Sequence, residues 1–172
     1  GSGAARSLLA RRGARAYLGP MKSPKELSLD RRMLDATSGS VRALAESLLA
    51  DEEVAELQDY ANAVAIRRLG FNDHGPVHMR KVALNALAMA RLLNKSDVPL
   101  SLERDEAGTR EDSLEAILLA AFLHDIGMSI GRQNHEQTGA LLAQPIIDRL
   151  LATLHPGETR RRVTIRSMAL EG

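Results

Sequence analysis

The segment Leu114-Glu115-Ala116-Ile117-Leu118-Leu119-Ala120-Ala121-Phe122-Leu123 runs directly into the pair His124-Asp125. A stretch that is apolar on nearly every side belongs in the middle of a packed structure. The imidazole and carboxylate at its end are therefore carried toward an interior. A bare carboxylate there is too costly to leave without a partner. His124 and Asp125 must be paired, hydrogen-bonded or metal-bound, and metal is the reading the two residue types favour.

The composition says what surrounds that stretch. Hydrophobic residues make up 44% of the 172 residues but aromatic ones only 2%, so Leu, Ala, Ile, Val and Met must build the core. Small and straight side chains suit closely packed helices better than the β-branched and aromatic faces of a sheet. The length fits one domain with a full core plus tails. No strand alternation, hairpin signal or solenoid repeat is present. The expected fold is all-α, a single-domain helical bundle of about six to seven helices.

With no cysteine, disulfides, thiol nucleophiles and thiolate zinc sites are excluded, and only His, Asp and Glu remain as metal ligands. The same absence is compatible with a cytoplasmic setting. The net charge of +1 provides no global field for nucleic acid or a membrane surface. Arg160-Arg161-Arg162 reads as a solvated face rather than a nucleic-acid site. No apolar stretch reaches the ~18 residues of a membrane span. A homo-oligomer is left open.

Residues 1–20 stand apart, with Arg6, Arg11, Arg12 and Arg15 among alanines and glycines and no acidic residue before Glu26. They read as a leader-like, tag-like or disordered segment, with the helical domain expected over 21–172. From Leu27 onward apolar residues recur at three- and four-residue spacing. The expected helices include Val41–Leu49 and Val54–Leu69. The second begins beside Asp51-Glu52-Glu53 and is closed by Gly70. A helix from Pro76 to about Asn94 has almost no polar face over 82–93 and is expected at the bundle centre. Residues 95–112 read as an exposed connection, and Asp112 or Ser113 as the cap of the next helix. Glu136–Leu154 is helical with a kink or break at Pro145. His155-Pro156-Gly157 reads as a surface turn before a last helix over Arg161–Leu170.

Four of the five histidines fall where the chain geometry is defined. Pro76 suits the first turn of a helix, which places His78 in that turn and His74 just before it. His135 opens a helix eleven positions after His124, and the glycine-containing segment between them can fold back. His78, His124, Asp125 and His135 could then meet at one point. Such mixed imidazole and carboxylate ligands suit Mn, Fe, Zn, Co or Ni better than Ca.

Three segments, His78 with Arg80-Lys81-Val82-Ala83, Leu123-His124-Asp125-Ile126-Gly127, and His135-Glu136-Gln137-Thr138-Gly139, resemble in order the HD-domain superfamily of metal-dependent phosphohydrolases. The likeness covers residues 57–172. It implies a helical bundle holding one or two divalent metals, with Mg as a further option. By position it makes His78, His124 and Asp125 metal ligands and His135 the additional histidine of two-metal members. A small-molecule phosphate ester or nucleotide is the implied substrate, hydrolysed by metal-activated water with Asp125 as the bridge. His74 would bind a phosphate oxygen or protonate the leaving group.

Two departures qualify the likeness. Met128 occupies the place where many members carry a lysine, so Lys81 or Arg132 would have to bind phosphate. The family completes its site with a later aspartate, but after Asp125 the only one is Asp148. On a continuous helix Asp148 lies about 20 Å beyond His135. The expected site is therefore one carboxylate short, and the chain reads as stopping before its final ligand. The alternative is a catalytically degenerate regulatory module that binds metal or nucleotide.

Overall fold

Each helix begins and ends where its sequence supplies a partner for the free backbone groups. The computed structural model describes residues 21–70 and 75–171. Residues 1–20, including the leader-like segment, and residues 71–74, which contain His74, lie outside the described residues. Eight α-helices and one 3-10 turn follow in order: α1 (Pro24–Asp35), α2 (Gly39–Ala50), α3 (Glu52–Leu69), α4 (Pro76–Lys95), α5 (Ser101–Arg104), α6 (Arg110–Leu123), the turn Ile126–Ser129, α7 (His135–Leu154) and α8 (Thr159–Glu171). Among the described residues there is no strand, as the aromatic-poor composition predicts. The helices without an individually expected counterpart are short α5 and N-terminal α1.

Ser23 caps α1 in a reciprocal box with Glu26, and Asp51 accepts the Val54 N–H at the start of α3. Gly70 ends α3 in the left-handed region at φ 66°, a conformation that costs glycine nothing. The cap of α6 differs from expectation. Thr109, not Asp112 or Ser113, is the cap, and its hydroxyl and the Asp112 carboxylate each accept the other's backbone N–H. The segment over 95–112 is likewise not a bare connection, because α5 within it buries Leu102 and is preceded by buried Leu100.

Helix α6 occupies the centre, packed against α2, α4, α5, α7 and α8. It buries Leu118, Leu119, Phe122 and Leu123, which join Met33, Leu44, Leu48, Leu87, Ile146, Ile147, Leu151 and Ile165 in one core. The expectation that α4 is also central is overturned. Its buried stripe is Met79, Arg80, Ala83, Leu87 and Ala90, while Met89 and Leu92 are each 62% exposed. One central position exists and α6 fills it, so α4 packs one face on α6 and α1 and leaves the other to solvent. Pro145 also fails to break α7. The carbonyl that its missing N–H leaves free belongs to exposed Leu141, where water can replace the bond.

No helix among the described residues is long and apolar enough to cross a membrane.

Candidate metal centre

The end of α6 is held by two side chains, Gln58 from α3 and His124 itself. A helix end exposes carbonyls without intrahelical donors. Gln58, buried on α3, donates its side-chain N–H to the Phe122 carbonyl at 2.9 Å. The Nδ1–H of His124 donates to the Ala121 carbonyl at 3.0 Å. With Nδ1 so committed, the Nε2 edge of His124 points to the Asp125 carboxylate, 3.2 Å from Oδ2.

The first turn of α4, opened by Pro76, sets His78 Nε2 3.5 Å from the same Oδ2. The His78 and His124 rings lie 5.4 Å apart between centroids. At the start of α7, the Nδ1–H of His135 donates to the Arg132 carbonyl at 2.9 Å. Its Nε2 lies 3.6 Å from the other carboxylate oxygen, Oδ1. Asp125 thus offers one oxygen to His78 and His124 and the second to His135.

The chemistry of this donor set fits a divalent cation. Three Nε2 atoms face one buried carboxylate at 3.2–3.6 Å, at or beyond the long limit of a good hydrogen bond. Two of the rings have their Nδ1–H bonded to backbone carbonyls, the arrangement that orients metal-binding imidazoles. One ligand atom from each of His78, His124 and Asp125 lies within 4.8 Å of the others, a spacing that small side-chain shifts would close around an ion. Burial pushes the His124 imidazole pKa down, but hydrogen bonding and charge from Asp125 outweigh it, and the net shift is upward.

The turn between His124 and His135 folds back as its glycines suggest. Met128, in the position where many HD-domain members carry a lysine, packs instead into a small apolar cluster with Ala61 and Ala65 of α3. It fixes the turn rather than meeting a ligand. Lys81 and Arg132 are exposed, Lys81 one turn beyond His78 on α4. Asp148 is not in the site. It pairs with Arg166 of α8 at 2.8 Å on the outer surface, as the continuous helix requires.

His155 is a correction to the sequence reading. It is no surface turn residue but is 2% exposed, with Nε2 2.7 Å from Oε2 of fully buried Glu115. Arg161 is likewise not simply solvated, since it bonds Asp112 at 2.6 Å and lies 3.7 Å from Glu115. This network sits at the N-terminal end of α6, away from the histidine cluster at its C-terminal end. The sequence assigns no role to Gln58, or to Arg80 beyond its place in the segment after His78. Arg80 is 4% exposed, with its guanidinium over the Phe122 ring and bonded to Asp30. The available signal for each was a polar residue on the buried stripe of its helix.

Comparison with known proteins places this geometry in a family. Residues 77–164 match the family model described as HD domain. The chain belongs to the HD domain family, within a superfamily of metal-dependent phosphohydrolases whose members bind divalent metals. It is 35% identical over 136 residues to the uncharacterized protein MJ1020 of Methanocaldococcus jannaschii, covering 79% of this chain and 52% of that protein. The chain therefore spans about half the length of this relative. No solved structure matches it.

Proposed function

We propose that the chain hydrolyses a small phosphate mono- or diester, nucleotides included, through water activated by one or two divalent transition metals held by His78, His124, Asp125 and His135. The observation that carries this reading is the division of the Asp125 oxygens, Oδ2 toward His78 and His124 and Oδ1 toward His135. A carboxylate so placed can serve two cation positions at once. A divalent metal supplies acidified water and charge screening for the phosphoryl oxygens.

The residues of the chain do the rest. The Nδ1 edges of His124 and His135 are held against backbone carbonyls, which turns each Nε2 toward the ligand position. Asp125 orients the attacking water by accepting its hydrogen bond. His74, four positions before His78 in the sequence, is the proposed proton donor to the leaving oxygen, and Lys81 and Arg132 are the proposed phosphate contacts.

Metal analysis of the purified protein, followed by phosphatase and phosphodiesterase assays with Mn, Fe, Zn, Co, Ni and Mg, tests the proposal. Metal bound in the parent and lost in Asp125→Ala, together with hydrolysis in the parent alone, supports it. An Asp125→Ala variant that hydrolyses as fast as the parent refutes it. The regulatory alternative draws on the absence, among the described residues, of a further carboxylate beside His78, His124 and Asp125. Nucleotide binding by the metal-loaded protein without turnover would favour that alternative.

A further inference from the structure

A cleft of about 370 Å³ opens from the edge of the site formed by His124, Asp125 and His135 and runs between α6, α7 and the end of α8. We infer that this cleft takes the organic part of the substrate, and that this part is apolar and either uncharged or cationic. The substrate is then a compact monophosphate ester and not a polyphosphate. This inference rests on the phosphohydrolase reading for the position of the phosphate.

Three properties of the cleft support the assignment. Its volume is that of a small-molecule site. The accessible part of its wall is mostly hydrocarbon, from Ala120 of α6, Ala140 of α7 and Leu170 of α8 over the buried core side chains beneath them, so the gain on binding comes from covering apolar ligand surface. Alanines hold it open, since Ala120 and Ala140 stand on opposite walls where larger side chains would close the space.

Charge then decides between ligand classes. Apart from its two histidines, the charged side chains that line the cleft among the described residues are the carboxylates of Asp125, Glu136 and Glu171, with no lysine or arginine among them. A chain of phosphates entering beyond the metal ligands would meet Glu136 and Glu171 with no cation of the described lining to offset them. Recognition of several phosphates calls for arginine forks, lysines or a glycine-rich loop. Lys81 and Arg132 are outside the lining, so they can serve only a phosphate at the ligand end. A hydrocarbon or cationic group meets no such penalty.

Titration calorimetry on the Mn-loaded protein tests this with three probes that are not substrates: methylphosphonate, benzylphosphonate and tripolyphosphate. Benzylphosphonate is expected to bind at least tenfold more tightly than methylphosphonate, and tripolyphosphate no more tightly than methylphosphonate. Ala140→Leu should erase the benzyl advantage while leaving Mn and methylphosphonate affinity unchanged. Ala120→Val, on the opposite wall, provides the same reading if Ala140→Leu does not fold.

Equal affinity for the two phosphonates, no binding of either, a preference for tripolyphosphate, or an advantage that survives both variants would each overturn the inference. Hydrolysis assays on the same preparations separate the two readings. If the benzyl advantage is present and lost on filling the cleft but no ester is hydrolysed, the hydrolase reading falls and the cleft assignment stands. If esters are hydrolysed without a benzyl advantage, the reverse holds.

Discussion

Gly127 lies so close to the start of α7 that a Cβ placed on it would fall 1.9 Å from the carbonyl oxygen of His135 and 2.5 Å from the Gly139 nitrogen. Both neighbours are backbone, and neither can swing aside as a side chain would. The 3-10 turn that contains Gly127 is the bridge from Asp125 to His135, so this close approach sets the spacing between the carboxylate and its third imidazole.

Gly127→Ala should therefore push the turn away from α7. The expected cost is about 3 kcal/mol, the upper range for overpacking in a close-packed interior. Bound metal per folded protein should fall as well, because His135 moves from Asp125. Denaturant unfolding and metal stoichiometry measured together check both. A variant of parental stability and metal content would show that the turn has room the geometry denies.

Gln58 reaches the site only through the backbone. Replacing it with Leu leaves the Phe122 carbonyl without its donor, at an expected cost of about 1–3 kcal/mol for a buried unsatisfied group. Metal affinity should drop about tenfold, the lower range for a residue that orients ligands without touching the ion. A loss of stability with unchanged metal affinity would assign Gln58 to the fold alone. Isothermal titration of the divalent metal distinguishes the outcomes.

Glu115 and His155 occupy the opposite end of the same helix. Their side chains are 0% and 3% exposed, and Ser40 and Arg161 complete the surroundings of the carboxylate. His155→Ala leaves that buried carboxylate short of a partner and should cost about 3–5 kcal/mol. Metal bound per folded protein should stay at the parental level, because the pair lies away from the histidine cluster. Urea unfolding and metal analysis of the folded fraction check the two halves of this expectation.

The motifs at the site were legible because each sits at a helix end with a local marker. Pro76 placed His78 in a first turn, and the apolar run of α6 brought His124 and Asp125 to its terminus. What could not be read was which of two apolar helices is central. Helices α4 and α6 both look buried along their length, and only packing shows that Met89 and Leu92 face solvent. Turn signals misled at His155, since Pro156 and Gly157 mark a turn without indicating that Glu115, 40 positions earlier, turns the histidine inward. Pro145 misled in the other sense. A helix interrupted on its exposed side keeps its course.

Two aspartates, Asp112 buried and Asp59 half-buried, should respond to acid in opposite directions. Burial raises the Asp112 carboxyl, but the Thr109 N–H and hydroxyl and the Arg161 guanidinium pull it further the other way, and its pKa lies below the ordinary 3.8. A depressed carboxylate stabilises the fold above its unfolded pKa, and that contribution is lost as pH falls from about 3.8 through the folded value. Asp112→Asn should then cost about 1–2 kcal/mol at pH 7, the scale of a hydrogen bond to a charged group, and less at pH 3. Asp59 is the reverse case. Burial and the nearby Glu26 and Glu56 charges raise its pKa above 3.8, with Arg80 offsetting only part. Its charge costs stability at neutral pH, a cost removed as pH falls through the raised value. Asp59→Asn should therefore stabilise the protein at pH 7 and lose that advantage by pH 3. Urea midpoints of the parent and both variants at the two pH values test the pair, and two variants that shift in the same direction at pH 7 would contradict the assignment.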